Sequence, residues 1–211
     1  MLGFVTGLAA EARLLEALPV LTAVGGGMPA GAAEAATALA RRGATGLVSF
    51  GLAGGLDPAL PCGTVIIPRM IHESGRTFIC DPALIERLGG ATHQLMAAGE
   101  TIIGSTAEKS ALFASTRAVA VDLESGAVAR IAALHDLPFA VLRAVADPAQ
   151  RALPEAAMLG LDPSGRMALG RIMLSLSRKP SQLPGLLALG RDARAAKASL
   201  ARQVRMLAEA A

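Results

Sequence analysis

Aromatic residues are scarce in this sequence. Trp and Tyr are absent, and five Phe supply the whole aromatic content of 2% among 211 residues. Proteins that bind single-stranded nucleic acid stack its bases on aromatic side chains, so we expect no nucleic acid as a partner. The hydrophobic fraction of 53% and the charged fraction of 18% exclude a disordered chain. We therefore expect one folded domain over residues 1–211.

Cysteine is also scarce, and long membrane-spanning runs are missing. Cys62 and Cys80 have no metal-ligand spacing, so the sequence predicts two reduced thiols and no metal site. The longest uncharged run, residues 17–33, is interrupted by glycine and proline, which is unfavourable for a helix in a bilayer. No basic residue precedes the apolar first ten residues and Glu11 follows them, unlike a secretory signal. We expect a cytoplasmic protein.

Two common nucleotide-binding loops are absent as well. No GxGxxG loop follows the first predicted strand, and no GxxxxGK[ST] loop occurs. These loops hold the phosphates of bound nucleotides, so their absence argues against a dinucleotide-dependent oxidoreductase and against a P-loop ATPase. We expect no cofactor, while phosphate stays open as a co-substrate.

Positive charge is concentrated near the end of the sequence. Residues 165–211 contain nine basic and two acidic residues, a formal charge of +7, whereas residues 1–164 have a formal charge of −4. This distribution favours an anionic partner, and a membrane surface fits an Ala/Leu-rich segment better than a nucleic acid does. A solvated helix face is the equal alternative.

Short apolar or β-branched runs alternate with Ala-rich segments of helical length. The runs predict strands at Leu2–Thr6, Val20–Val24, Gly46–Phe50, Thr64–Ile67, Thr101–Ile103, Ala118–Val121 and Phe139–Val145. Helices are predicted at Pro29–Arg41 and Asp122–His135. Strands that alternate with helices are typical of a largely parallel sheet covered on both faces, which is an α/β sandwich.

The basic tail contains two amphipathic patterns, separated by Pro180 and Pro184. Apolar residues share one helix face in residues 166–178 and again in residues 193–207. Such faces contact a protein core more often than lipid. The sequence thus predicts a basic amphipathic helical extension at about 165–211.

Glycine-rich loops and carboxylates follow several predicted strands. The loops are Gly25-Gly26-Gly27 and Gly51–Gly55, and the carboxylates are Glu11, Asp122, Glu124 and Asp147. In open α/β sheets ligands bind where strands give way to loops, so these groups are expected at one edge of the sheet. The glycine N–H groups are candidates for holding an anion or a sugar hydroxyl. Helix capping is the competing interpretation for Asp122 and for Asp147, which precedes a proline.

Four segments together resemble the nucleoside phosphorylase and nucleosidase family. They are Gly51–Leu56, Cys62–Pro68, Val121–Ala129 and Leu142–Asp147. The resemblance covers about residues 2–150 and implies a three-layer α/β/α sandwich with a mostly parallel mixed central sheet. It also implies a homo-oligomer that cleaves the N-glycosidic bond of an adenine nucleoside.

The resemblance also implies roles for individual residues. Asp147 corresponds to the acid that protonates the leaving purine, Glu124 to the carboxylate that grips the ribose, and Glu11 to the glutamate that activates water. Arg143 corresponds to an arginine that holds the nucleophile, and Leu123 replaces a methionine under the sugar. The other substrate contacts implied in this way are Asp122, Ser125, Leu52, Ala53, Gly54 and Ser105.

A proton donor and carboxylates suit this reaction. Cleavage builds positive charge on the sugar and negative charge on the purine. An ordinary Asp, with a pKa near ~3.9, is almost fully ionised at neutral pH. The apolar neighbours of Asp147, such as Val145 and Ala146, are expected to desolvate it and raise its pKa.

Some positions depart from the family pattern. Leu52 stands where nucleosidases have a hydroxyl residue, Ala146 replaces a serine, and Gly104–Ala107 lacks the usual stacking aromatic. These departures leave a non-catalytic nucleoside- or lipid-binding protein as an alternative. Phosphate in place of water as the nucleophile, held by Gly25-Gly26-Gly27, is a second alternative.

The short length, the glycine loop at 25–27 and the basic tail most resemble the hopanoid-associated phosphorylase branch. This resemblance implies adenosylhopane, a lipid-linked nucleoside, as the substrate. It also implies contact with the cytoplasmic face of an anionic membrane.

Overall fold

The structure is a computed structural model that describes residues 1–158 and 169–209. Within these residues the strands are β1 (Gly3–Thr6), β2 (Leu21–Val24), β3 (Leu47–Gly55), β4 (Val65–Ile66), β5 (Pro68–Glu73), β6 (Arg76–Ile79), β7 (His93–Ala98), β8 (Ala120–Asp122) and β9 (Phe139–Asp147). The helices are α1 (Ala9–Ala12), α2 (Pro29–Arg41), α3 (Pro82–Arg87), α4 (Thr106–Thr116), α5 (Ser125–Leu134), α6 (Glu155–Met158), α7 (Leu169–Arg178) and α8 (Leu183–Glu209).

The strands form one mixed sheet, with β3 and β9 at its centre. Its order is β2-β1-β3-β8-β7-β5-β6, and β9 pairs with β3 and β4. The pairs β1–β2, β1–β3, β3–β9, β5–β7 and β7–β8 are parallel, whereas β3–β8, β4–β9 and β5–β6 are antiparallel. Every residue of β9 is buried, as expected for a central strand covered on both faces.

Helices flank the sheet. α2 and α5 pack against each other and against the sheet, whereas α8 packs on β9 and β3. Alanine and leucine dominate the buried face of α2, so the helix lies close to the strands. The expected three-layer α/β/α sandwich with a mostly parallel mixed sheet is confirmed.

Local signals in the sequence account for where three helices begin. Pro29 is the first residue of α2, a position where a missing N–H costs nothing. The Asp81 side chain accepts from the backbone N–H of Leu84 and caps α3. Ser105 and Glu108 form a capping box at the start of α4, which satisfies two backbone N–H groups.

The prediction of a strand at Thr101–Ile103 is wrong. This segment is a loop, and the strand is β7 at residues 93–98. The sequence of β7, HQLMAA, has no β-branched residue, so strand propensity does not mark it. Its place between β5 and β8 makes it a strand.

The predicted boundaries near residues 64–80 are also incomplete. β4 covers only Val65–Ile66, and the hairpin of β5 and β6 follows it. Ser74 and Gly75 form the turn of this hairpin with φ values of 46° and 81°, a conformation that two-residue hairpins require. The predicted helix Asp122–His135 begins only at Ser125 because β8 extends to Asp122.

α7 and α8 correspond to the two helices predicted for the tail, although residues 166–168 lie outside the described residues. The predicted separation is wrong at Pro184, because α8 begins at Leu183 and includes this proline in its first turn, where proline is tolerated. In α8 the buried residues include Ala196, Leu200 and Val204. The apolar stripe of α8 therefore faces the core, as the pattern favoured. Within the described part of the chain, no helix combines the length and the apolar character that crossing a membrane demands.

Candidate active site

One cavity lies where β1, β3, β8 and β9 give way to the segments that follow them. Its volume is about 260 Å³, slightly below the roughly 300–1,000 Å³ of typical small-molecule sites. The lining residues are Gly7, Leu8, Glu11, Gly27, Leu52, Ala53, Gly54, Thr101, Ile102, Ile103, Val121, Asp122, Leu123, Glu124, Arg143, Ala146, Asp147 and Leu153.

Arg143 of β9 organises the acidic side of the cavity. Its Nη2 atom lies 2.6 Å from Asp122 Oδ2 and 2.9 Å from Glu124 Oε2. The same atom donates to Ser49 Oγ at 2.6 Å, and Nη1 donates to the carbonyl oxygen of Leu52 at 3.1 Å. One buried guanidinium thus holds two carboxylates and the Leu52 carbonyl in place. Leu52 belongs to β3, because this strand extends through the segment Gly51–Gly55 that was predicted to be a loop.

Asp122 also bonds Ser125, the first residue of α5. Its carboxylate accepts from the backbone N–H of Ser125 at 3.2 Å and from Ser125 Oγ at 2.6 Å. Asp122 therefore satisfies the first backbone N–H of α5 and also lines the cavity, but it is not the N-cap residue, which is Glu124. The capping interpretation fails for Asp147, because the segment after Pro148 is a turn and Asp147 pairs with a lysine instead.

Glu11 lies on the same side of the cavity and is buried. Its carboxylate accepts from the backbone N–H groups of Leu8 at 2.8 Å and Leu52 at 3.0 Å. Burial raises the pKa of Glu11, and the Arg143 charge and these two hydrogen bonds oppose the rise. A carboxyl with a raised pKa is suited to accept a proton near neutral pH.

Glu124 is buried at the cavity wall beside other carboxyls. Burial raises its pKa to about 7, with Arg143 opposing the rise and the charges of Asp122 and Glu11 adding to it. Burial works against the charge of Arg143, but Asp122 and Glu124 outweigh it and raise the pKa of the guanidinium. Three acidic groups around one guanidinium give this wall a negative field, which stabilises positive charge on a bound ligand.

Two glycines make room for these carboxylates. A Cβ atom at Gly7 would lie 2.1 Å from Glu124 Oε1. At Gly51, where φ is +149°, a Cβ atom would lie 2.7 Å from the carboxyl atoms of Glu11. Any larger residue at either position would push a carboxylate out of its place.

Asp147 lies at the end of β9, apart from the acidic cluster around Arg143, and its partner is a lysine of α4. Its Oδ2 atom is 2.5 Å from Nζ of Lys109, a fully buried residue of α4. Its Oδ1 atom is buried and has no hydrogen-bond partner among the described residues. Burial raises the pKa of Asp147, while Lys109 and Arg151 oppose the rise. A buried polar atom without a protein partner is a candidate contact for a ligand.

The structure brings most of the predicted site residues to this one cavity. The lining includes Glu11, Asp147, Arg143, Glu124, Leu123, Asp122, Leu52, Ala53 and Gly54. Gly27 is the only member of the 25–27 loop in the lining.

The other predicted site residues lie elsewhere. Ser105 does not line the cavity, because its hydroxyl caps α4. Ser125 is buried behind the cavity, where its hydroxyl bonds Asp122 and Ser49. Gly25 packs against the backbone of α2, where a Cβ atom would lie 2.8 Å from Ala32. Gly26 is likewise not among the lining residues.

Lys109, Ser49 and Thr101 are polar residues at the site that were not predicted from the sequence. Lys109 has an ordinary place in a helical pattern, and only its complete burial singles it out. Ser49 lies inside an apolar strand run, where an isolated hydroxyl attracts no notice. The sequence signal that could have found Ser49 is a single hydroxyl residue within an apolar strand.

The sequence matches one known protein family. Residues 11–161 match the profile of the Phosphorylase superfamily. Because the match covers more than half of the chain, this protein belongs to the Phosphorylase superfamily. The resemblance to nucleoside phosphorylases and nucleosidases is thereby confirmed. A search of curated protein sequences gave no match.

Solved structures of similar fold include three nucleoside-cleaving enzymes by name. The 5′-methylthioadenosine/S-adenosylhomocysteine nucleosidase from Neisseria meningitidis, in complex with methylthio-immucillin-A, has a TM-score of 0.73 at 18% identity and covers 100% of this chain and 99% of its own. The S-adenosylhomocysteine nucleosidase from Streptococcus pyogenes has a TM-score of 0.64 at 18% sequence identity, and the alignment covers 71% of this chain and 84% of that chain. Futalosine hydrolase from Helicobacter pylori has a TM-score of 0.62 at 15% sequence identity, and the alignment covers 69% of this chain and 87% of that chain. At these identities the likeness shows the shared fold.

Proposed function

We propose that this protein is a nucleosidase that hydrolyses the N-glycosidic bond of an adenine nucleoside and releases adenine. The observation that carries the proposal is the cavity itself. It has a buried carboxyl with a raised pKa, Asp147, and a separate acidic cluster of Glu11, Asp122 and Glu124 around Arg143. The names of the structural neighbours support the same reaction class.

The two groups match the two charges that form during cleavage. As the bond between C1′ and the purine breaks, its electron pair moves to the base, and Asp147 donates a proton there. The sugar becomes positively charged, and the acidic wall stabilises it. Water then forms the new bond to C1′, and Glu11 accepts its proton. Glu124 accepts hydrogen bonds from the ribose hydroxyls.

Water is favoured over phosphate by the charge of the cavity wall. Among the described lining residues, Arg143 is the one cation, and its guanidinium already contacts Asp122, Glu124 and Ser49. A phosphate dianion would enter beside these carboxylates and find no free cation there. Since only Gly27 of the 25–27 loop reaches the cavity, this loop offers phosphate little support.

The substrate class follows from the apolar residues of the cavity and from the tail. Leu8, Ile102, Ile103 and Leu153 provide an apolar surface for a 5′ substituent. The tail is joined to this region, because Arg151 forms an ion pair with Asp192 of α8. We propose a lipid-linked adenine nucleoside, adenosylhopane in the role that the resemblance implies, met at the surface of an anionic membrane. We also propose a homo-oligomer of single-domain subunits in the cytoplasm.

Adenine release tests this function. Purified protein is incubated with adenosine and with 5′-methylthioadenosine, with and without phosphate, and adenine is measured by chromatography. We expect adenine and free ribose or its 5′-methylthio derivative in phosphate-free buffer. We also expect Glu11→Gln to lower the rate by about 10²-fold or more.

Other outcomes contradict the proposal in different ways. Strict dependence on phosphate, with a sugar 1-phosphate as product, would establish phosphorolysis. Tight binding of either nucleoside without any adenine release would establish a non-catalytic binding protein. Glu34→Gln, a substitution of a glutamate outside the cavity, is the matched control and should keep the wild-type rate.

A further inference from the structure

The lysine that contacts Asp147 is buried to an unusual degree. Lys109 is 0% exposed, and it is the buried residue of α4. An ammonium group costs free energy when it leaves water, unless charged and polar partners replace the solvent. Even a well-paired buried ion pair contributes little more stability than apolar side chains of similar size. Packing alone therefore gives little reason for a lysine at this position.

All three N–H donors of Lys109 have partners. Nζ lies 2.5 Å from Asp147 Oδ2, 3.0 Å from the carbonyl oxygen of Pro148 and 2.8 Å from that of Arg151. The two carbonyls belong to the turn that follows Asp147. Lys109 thus fixes one carboxylate oxygen and the backbone immediately after it.

This arrangement makes the two oxygens of Asp147 different. Oδ2 is held by Lys109, whereas Oδ1 is buried without a partner among the described residues. An acid that donates to a ligand carries its proton on the oxygen that is free to approach the ligand. The pairing of Oδ2 with an ammonium group places that proton on Oδ1.

We propose that Lys109 is a positioning residue for the general acid Asp147, holding Oδ2 so that Oδ1 donates the proton to the leaving purine. The inference rests on the proposed function. During the step, the Oδ1–H bond breaks, a bond from that proton to the purine forms, and the electron pair of the broken glycosidic bond stays on the purine. Asp147 becomes a carboxylate, and the Lys109 ammonium group compensates the new charge.

Lys109 also influences the pH at which Asp147 loses its proton. The charged or titratable groups that act on Asp147 are Lys109 from α4, Arg151 from the following turn, Asp192 from α8 and Cys62 from the loop before β4. Lys109 is the only one of them bonded directly to the carboxylate within the described structure. Removing its positive charge disfavours the carboxylate, so Asp147 keeps its proton to higher pH.

Two neutral variants test the proposal on adenine release from 5′-methylthioadenosine. We expect Lys109→Met to lower kcat by about 10²-fold with little change in KM, since the acid is misplaced but the sugar site is intact. The alkaline limb of the pH–rate profile should move upward by about one unit or more. Lys109→Gln keeps N–H donors for the two carbonyls, and it carries the test if Lys109→Met does not fold. Lys109→Arg retains the charge and should leave the alkaline limb near its wild-type position.

The Asp147→Asn background separates positioning from a structural role. If Lys109 acts through Asp147, Lys109→Met should lower the rate of Asp147→Asn by less than about threefold, because the two residues act as one unit. Full multiplication of the two effects, or an unmoved alkaline limb in the neutral variants, would overturn the proposal. Lys179→Met, which removes an exposed lysine paired with Glu155, is the control and should leave the profile unchanged.

The outcome for the function and the outcome for Lys109 are distinguishable. A wild-type protein that releases no adenine would refute the proposed function before any variant is made. A wild-type enzyme with normal Lys109 variants would refute the positioning role alone.

Discussion

Glycine at position 7 lets Glu124 approach the backbone of the β1–α1 connection. A Cβ atom there would lie 2.1 Å from Glu124 Oε1, well inside any permitted contact. We expect Gly7→Ala to push the carboxylate away from Arg143 and to raise KM for adenosine by about tenfold, equivalent to ~1.4 kcal/mol of lost binding. Steady-state kinetics measure KM, and a thermal melt measures the stability of the variant.

Gly190→Ala is the matched control for this substitution. Gly190 lies within α8, and a Cβ atom there would meet no other atom within 4 Å. Alanine stabilises a helix by up to about 1 kcal/mol relative to glycine, so this variant should melt slightly higher with unchanged KM. An unchanged KM in Gly7→Ala would show that Glu124 does not hold the ribose.

The raised pKa of Glu124 predicts a specific pH dependence of stability. Burial raises this pKa from 4.5 to about 7, so the folded state binds the proton more tightly than the unfolded state. Between those values the free energy of unfolding therefore falls as pH rises, by at most about 1.4 kcal/mol per pH unit for one group. Below pH 4.5 the group is protonated in both states and contributes no slope.

Urea unfolding of wild type and Glu124→Gln at pH 5, 6 and 7 isolates this contribution. The advantage of wild type over the variant should shrink from pH 5 to pH 7, because glutamine does not titrate. Parallel stability curves would mean that Glu124 is ionised throughout this range.

Two acidic residues of the site were predictable because Glu11 follows β1 and Asp147 ends β9, and both strands run parallel to β3. Glu124 follows β8, which is antiparallel to β3, so parallel strand ends do not explain its place in the cavity. Lys109 was not predictable, since its burial depends on the turn after β9 and on no local pattern. Ser105 was misplaced because its capping box at α4 looks the same whether or not a ligand lies nearby.

At the scale of elements, α8 has two different faces. Ala196, Leu200 and Val204 face the core, whereas the exposed basic residues lie on the solvent side. A basic surface gains about 1 kcal/mol per Lys or Arg near anionic lipid. We expect the protein to co-sediment with phosphatidylserine-containing vesicles at low salt and to dissociate as salt screens the attraction.

Charge neutralisation tests that contact with a matched control. Sedimentation should be lost when glutamine replaces Arg191, Arg194, Lys197, Arg202 and Arg205. Adenosine turnover should be unchanged when only the four exposed arginines are replaced, because the charge of the half-buried Lys197 acts on Glu11. It should persist when glutamine replaces five exposed arginines outside the tail, namely Arg13, Arg41, Arg42, Arg69 and Arg76. Equal loss in both variants would indicate general charge attraction, and no binding at low salt would leave the basic face as a solvated surface.

The elements that the sequence predicted best are a helix that begins at a proline and a strand that is a nearly continuous apolar run. α2 begins at Pro29 and ends at Arg41, as predicted. β9 begins at Phe139, as predicted, and ends at Asp147, two residues beyond the predicted end at Val145. β7 was missed because its residues have weak strand propensity and only its neighbours make it a strand. The hairpin of β5 and β6 was missed although Ser74-Gly75 gives a usable turn signal.

At the scale of the whole molecule, the core and the cavity share the same strands. Leu47, Val48 and Phe50 of β3 are fully buried, and Leu52 and Gly54 of the same strand line the cavity. Arg143 and Asp147 continue β9 in the same way. The positions of the site residues are therefore fixed by the most buried part of the fold, as a preorganised site requires.

The pairing of β3 also has a consequence for biosynthesis. β3 pairs with β1, which precedes it in the sequence, and with β9, which follows it. The longer of these two pairings is with β9, and it runs from Leu47 opposite Phe139 to Gly54 opposite Asp147. A nascent chain leaves the ribosome from its N-terminus, so one edge of β3 stays unpaired until residues 139–147 have emerged. An apolar strand with a free edge adheres to other chains. Translation of the intervening residues is thus the interval in which this unpaired edge is most exposed to aggregation.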